Sequence, residues 1–118
     1  MTQAIPPPDS WAPEACTLPI RQRPLRLAEF DALFADDVTE MRRTAPDLAL
    51  LELRPEPAVA ARAADLSVRE TGCCSFFEFS LVATGGHLTL QVRTPPEQVA
   101  VLDALVERAR AASAGRSR

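Results

Sequence analysis

A predicted β-hairpin constrains the fold of this chain more than any other feature of its sequence. Apolar side chains occupy every second position in two short runs, Phe77, Phe79 and Leu81 in the first and Leu88, Leu90 and Val92 in the second. This period of two places each set on one face of a strand. The intervening Gly85 and Gly86 are typical of a tight turn. The sequence therefore predicts a two-stranded antiparallel hairpin with one buried face.

Helices and a further strand are predicted on both sides of this hairpin. Apolar residues at helical spacing are Leu27, Phe30, Phe34 and Val38 in a first helix, Val59, Ala63 and Leu66 in a second, and Leu102, Leu105, Val106 and Ala109 in a third. The dense apolar run 48–53 predicts a strand. Residues 38–43 fit either a partner strand or an extension of the first helix. This order favours an α+β fold, a small antiparallel sheet of three to four strands with about three helices packed on one face.

Local signals mark the ends of two of these helices. Pro57 is an acceptable first residue for the second helix, and Gly72 is well placed to end it. Thr94, Pro95 and Glu97 predict an N-cap, a first helical residue and a capping-box partner for the third helix.

One domain accounts for the 118 residues, since a chain of this length can bury a sufficient core. Residues 1–15 are rich in proline and predict a flexible arm. We expect the folded unit to span 16–112 and residues 113–118 to form a disordered tail.

Composition narrows the classes of partner. The formal net charge is -3, whereas a nucleic-acid-binding surface normally needs a basic stripe, so no nucleic-acid partner is expected. No apolar run approaches the roughly 18 residues of a membrane span, and the N-terminal segment has neither the basic nor the apolar region of a secretory signal. We therefore expect a cytoplasmic protein without a membrane partner.

The adjacent cysteines Cys73 and Cys74 are the candidate functional residues. A disulfide between neighbours closes a strained ring, so reduced thiols are expected. Thiolates bind soft ions such as Hg(II), Cd(II), Cu(I) and As(III), and Cys16 is a candidate third sulfur ligand. Two other interpretations stay open. Cysteine is often simply buried in a core, and Cys16 with one member of the pair would suit a reversible disulfide.

Two observations bear on how the pair would react. The second helix precedes it, so the negative end of the helix dipole should raise the thiol pKa unless Arg69 reaches back to offset it. A metal displaces the thiol proton itself, so metal binding is less affected by a raised thiol pKa.

If residues 73–79 were regular strand, Cys73 and Cys74 would point to opposite faces, as would Phe77 and Phe76. A turn at Gly72 would instead let the two thiols converge.

Other chemistry is not indicated. A structural zinc site needs four ligands, and His87, the single histidine, lies at the far end of the predicted hairpin as a surface turn residue. No nucleophile–base motif or phosphate-binding loop is present, so we predict no catalytic or cofactor-binding residue and do not predict an enzyme. The acid pairs Asp36–Asp37 and Glu52/Glu56 are interpreted as solvated edges.

The segments CTLPIRQRPLRLAEFDALFA and RETGCCSFFEFSL resemble a small bacterial domain with a C-C-x-F-x-x-F signature. Similar segments occur at the C-terminal end of some mercury-resistance-type (MerR-like) regulators or as free-standing proteins. The resemblance covers most of residues 16–110, although this chain has no winged helix of its own. It implies a role in heavy-metal sensing or buffering, carried by Cys73, Cys74 and Cys16.

The sequence therefore predicts binding of a thiophilic metal or metalloid ion, serving heavy-metal sensing, buffering or resistance. The alternatives are an interaction domain, including a homodimer, whose cysteines are buried, and a thiol redox protein.

Overall fold

The computed structural model describes residues 23–73 and 76–116. Its elements are α1 (Arg23–Asp37), β1 (Val38–Ala45), β2 (Leu48–Leu53), α2 (Pro57–Cys73), β3 (Glu78–Thr84), β4 (His87–Arg93), a 3₁₀ turn (Pro96–Gln98) and α3 (Val99–Arg116). The predicted α+β class is confirmed, with three helices and one antiparallel sheet. The proline-rich arm 1–15 lies outside the described residues, as does the tip of the tail.

Four antiparallel strands form the sheet in the order β1-β2-β4-β3. One row of cross-strand neighbours illustrates the register, since Met41 faces Leu51, Leu51 faces Leu90 and Leu90 faces Leu81. Residues 38–43, which fitted strand or helix, belong to β1. The two central strands, β2 and β4, come from different hairpins, so their pairing joins the halves of the chain into one sheet.

The helices cover the face of the sheet that carries the alternating apolar residues. Buried positions include Ala49, Leu51 and Leu53 of β2 and Leu88, Leu90 and Val92 of β4. The predicted helix faces pack against them through Phe30 and Phe34, Val59, Ala63 and Leu66, and Leu102, Leu105, Val106 and Ala109. Val38, predicted as helical, is buried as the first residue of β1, and the side chain of Leu27 lies outside the described part.

The second hairpin has the predicted turn but only half of the predicted buried face. Gly85 and Gly86 have φ values of 58° and 80°, the positive pair that a tight two-residue hairpin turn requires. β4 is central and its apolar side chains are buried. β3 is an edge strand, and Leu81 on its helix-facing side is 37% exposed. The alternation predicted the strand correctly, but the neighbour that would cover its face is absent from the described residues.

The start of the last helix differs from the prediction. Pro95 is the N-cap of the 3₁₀ turn, no side-chain hydrogen bond caps it, and α3 follows from Val99. Thr94 continues the extended chain of β4, and its N–H donates to the carbonyl of Asp47 at 3.1 Å. Its hydroxyl is buried without a hydrogen-bond partner among the described residues. Thr94 is therefore held by the turn between β1 and β2, and it does not cap the helix. At its other end α3 extends to Arg116, past the predicted end of the folded unit at Ala112.

Candidate functional site

The C-terminal end of α2 carries Cys73, the first member of the cysteine pair. α2 ends at Cys73, and Gly72 is part of the helix. The glycines with positive φ in the described residues are Gly85 and Gly86, so the prediction that Gly72 ends the helix is wrong. Cys73 is helical and β3 begins only at Glu78, so the strand geometry considered for residues 73–79 does not hold at Cys73. Cys74 and Cys16 lie outside the described residues.

Aromatic packing anchors the chain directly after the cysteine pair. Phe77 is 4% exposed, and its ring centroid lies 4.7 Å from that of Phe76 and 5.4 Å from that of Phe79. Phe79 in turn stacks on Phe30 of α1 at 6.5 Å. Phe76 is half-buried against the same core, so the interpretation that it faces away from Phe77 is wrong. Both residues precede β3, where strand alternation does not apply. The aromatic anchor therefore begins three residues after Cys73, the last residue of α2.

The guanidinium of Arg69 is engaged with carboxylates of the helix layer. Its Nη1 and Nη2 donate to Glu29 of α1 at 3.0 and 2.8 Å, and Nη2 also donates to Asp65 at 2.8 Å. The hydrogen bond to Glu29, followed by that to Asp65, raises the pKa of Arg69. This side chain ties α2 to α1. The expectation that Arg69 offsets the helix dipole at the cysteines concerns thiols outside the described residues and stays a prediction.

Glu70 is the least expected residue near the pair. It lies one helical turn before Cys73 and is 1% exposed, so it continues the buried stripe of Ala63 and Leu66. Burying a carboxylate is costly unless it is paired or hydrogen-bonded. Sequence reasoning treated Glu70 only as an adverse charge. Its spacing of four residues from Leu66 was the available signal that it faces the core.

A charged groove runs between α1 and α2. Its volume is about 600 Å³, and its lining includes Ala28, Glu29, Ala32, Arg62, Asp65, Leu66 and Arg69. At one end, Arg62 Nη1 lies 3.2 Å from Asp37 Oδ2 and 3.8 Å from Asp36 Oδ2. Asp37 is 5% exposed, so its interpretation as a solvated edge residue is wrong. Both arginines in the lining are paired with acids. We therefore interpret the groove as part of the contact between the two helices.

His87 lies at the turn end of the second hairpin, as predicted. It is the first residue of β4, and its side chain is 74% exposed with Nδ1 3.4 Å from Glu52 Oε2. The hydroxyl of Thr89 donates to the other oxygen of Glu52 at 2.9 Å. Glu52 is thus held on the open face of the sheet, and its interpretation as a solvated edge residue holds only in part.

Three further findings concern metal ligands, membrane spans and similarity to known proteins. Among residues 23–73 and 76–116, no group of three or more His, Cys, Asp or Glu side chains is placed to hold a metal ion. No helix in the same ranges has the length and apolar character that a membrane span needs. Compared with protein-family models, curated proteins and solved structures, the chain gives no significant match. The resemblance to the C-C-x-F-x-x-F domain stays a prediction.

Proposed function

We propose that this protein binds a thiophilic metal or metalloid ion through Cys73 and Cys74, with Cys16 as a third thiolate ligand. The observation that carries the proposal is the position of Cys73 at the end of α2. Consecutive residues of a helix are separated by about 100° around its axis, whereas consecutive residues of a strand point to opposite faces. A pair that starts on a helix is therefore better suited to share one ion than a pair in a strand.

The surroundings of the pair support the same proposal. The connection from α2 to β3 is short, and Phe77 is anchored in the core immediately after it. A binding site on a constrained connection loses less conformational entropy when the ion binds than a site on a long loop. Two sulfur ligands suffice for a linear Hg(II) or Cu(I) site, and three suit As(III) or Cd(II). In a reducing, cytoplasmic location the thiols stay available, and binding releases their protons. The biological role would be heavy-metal sensing, buffering or resistance.

Native mass spectrometry of the reduced protein tests the proposal. We expect one Hg(II), Cd(II), Cu(I) or As(III) per chain in the wild type, and loss of that adduct in Cys73→Ser/Cys74→Ser. Cys16→Ser is the matched single-thiol control. It should weaken As(III) binding more than Hg(II) binding, since only the former requires the third sulfur. Circular dichroism verifies that each variant is folded.

Three results would contradict metal binding by the cysteine pair. Equal metal uptake by the wild type and the double variant would show that the pair is not the site. Absence of any adduct in the wild type, together with slow thiol alkylation, would favour cysteines buried in the core. A mass decrease of about 2 Da on mild oxidation, without metal binding, would favour the redox alternative.

A further inference from the structure

The two edges of the sheet differ in how they are protected from pairing with another strand. β1 carries charged residues at Glu40, Arg42 and Arg43. Its ladder with β2 is irregular between Val38 and Glu40 and again between Arg43 and Ala45. Charges and bulges on an edge strand both discourage the addition of a further strand. β1 is therefore a protected edge.

β3 has no bulge, and its charge is confined to Glu78 at one end. It pairs with β4 without a register shift along its whole length, from Glu78 to Thr84. Between those two residues it contains no charge and no proline. Leu81 and Val82 are each 37% exposed, one on either face, and they are adjacent. A regular and exposed edge whose central residues carry no charge is a template for another strand, and natural proteins normally cover such an edge.

We propose that β3 is a homodimer interface, in which the β3 strands of two copies pair antiparallel with Leu81 at the two-fold axis. In this register Glu78 faces Thr84, and Phe79 faces the small Ala83. The two Glu78 carboxylates, which carry the only charges on the strand, then lie at opposite ends, roughly 20 Å apart. A strand that avoids like-charge contacts and matches a bulky residue with a small one in this way is complementary to itself.

The position of the helices is compatible with this pairing. A register centred on a residue places equivalent faces on the same side, so both helix layers lie on one side of a continuous eight-stranded sheet. The flank of α2 facing away from α1 then approaches its equivalent in the partner. That flank carries small side chains at Ala60, Ala64, Ser67 and Thr71. Ala60 also lines a groove with Ala83 and Thr84 of the hairpin. Small side chains leave room for the second helix.

Light scattering coupled to size-exclusion chromatography tests the interface, in buffer with a reductant and a chelator. These additives remove disulfide and metal-bridged dimers, so the result is independent of the proposed metal site. We expect the wild type at about 10–100 µM to have twice the 12.8 kDa chain mass. Leu81→Lys and Val82→Lys should each give a monomer, because a charge would enter the pairing. Val68→Lys is the matched control, since Val68 is 70% exposed on α2, and it should remain dimeric.

Hydrogen exchange separates strand pairing from any other contact. Amides of β3 should become more protected as the wild-type concentration rises, whereas those of β1 should not. Loss of the dimer in either β3 variant with an unchanged circular dichroism spectrum supports the interface. A dimer that survives both substitutions overturns it. A wild type that stays monomeric at about 100 µM also overturns it, and β3 would then be an edge for a strand of another protein.

Discussion

At the level of single residues, the neighbours Asp36 and Asp37 differ sharply in their surroundings. The side chain of Asp36 is 66% exposed, and its contact with Arg62 is long. Asp37 ends α1 with a side chain that is 8% exposed, 3.2 Å from Arg62 and 3.9 Å from Arg54. Its carbonyl also accepts a hydrogen bond from the N–H of Arg54 at 2.9 Å. Asp37 therefore connects α1 with α2 and with the end of β2.

These surroundings predict unequal effects of the same substitution. Asp37→Ala should lower the free energy of unfolding by about 1–3 kcal/mol, because it leaves a half-buried guanidinium without its closest carboxylate. Asp36→Ala should change it by less than about 0.5 kcal/mol, as expected for an exposed pair. Urea unfolding of both variants measures the difference. Equal losses would show that burial of Asp37 contributes nothing.

Thr94 and Thr89 form a second matched pair of residues. The hydroxyl of Thr94 is buried without a partner in the described part of the chain, whereas that of Thr89 donates to Glu52. Removing an unsatisfied buried hydroxyl is neutral or favourable, while removing a hydrogen bond to a carboxylate is costly. We expect Thr94→Val to raise the melting temperature or leave it unchanged, and Thr89→Val to lower it. A lower melting temperature for Thr94→Val would contradict this view of Thr94.

Among the elements, the two hairpins and the helices follow from local chemistry. Two glycines illustrate this. Gly72 lies in a helix, whereas Gly85 has a φ of 58°. An added Cβ would meet nothing within 4 Å at either position. Space does not distinguish the two positions. Backbone conformation does, since only glycine adopts positive φ without strain.

This contrast predicts opposite signs for two glycine substitutions. Gly72→Ala should stabilise the protein by about 0.4–1 kcal/mol, because it restricts the unfolded chain at a helical position. Gly85→Ala should destabilise it by about 1–2 kcal/mol, because alanine would be held in a left-handed conformation. Thermal unfolding of the two variants tests both signs. A stabilising Gly85→Ala would mean that the turn can adopt another form.

The elements also show where sequence reasoning stops. Apolar spacing predicted both strands of the second hairpin and the buried stripe of α3, since those signals act over a few residues. It ended α2 one residue early, because Gly72 tolerates either a helix or a turn. It assigned a cap to Thr94, whose place is decided by the distant Asp47. For the same reason, sequence alone could not place Cys73 on a helix.

For the whole molecule, the last turns of α3 pack against the rest of the domain. Ala112 packs against the core, and the hydroxyl of Ser113 donates to the carbonyl of Phe34 in α1 at 3.2 Å. The helix itself continues to Arg116. The folded unit inferred from spacing ended at Ala112, because the polar residues that follow carry no periodic apolar signal.

Truncation tests this extension directly. A chain that ends at Ala112 should lose about 1 kcal/mol of unfolding free energy, because it lacks the Ser113 hydrogen bond and the final helical turn. A chain that ends at Arg116 should match the full-length protein in urea unfolding. Equal stability of the two truncated chains would show that the extension does not contribute.

The strand order also has a consequence for synthesis on the ribosome. β1 and β2 are the first strands to emerge and can pair at once, but the other side of β2 faces β4, which is made only after α2 and β3. The apolar stretch Leu48–Leu53 therefore has an unpaired edge while most of the second half is translated. Nascent chains with such an edge are prone to associate with one another. The exposure ends when the chain has left the ribosome as far as Arg93, because β4 can then pair with β2 along its full length.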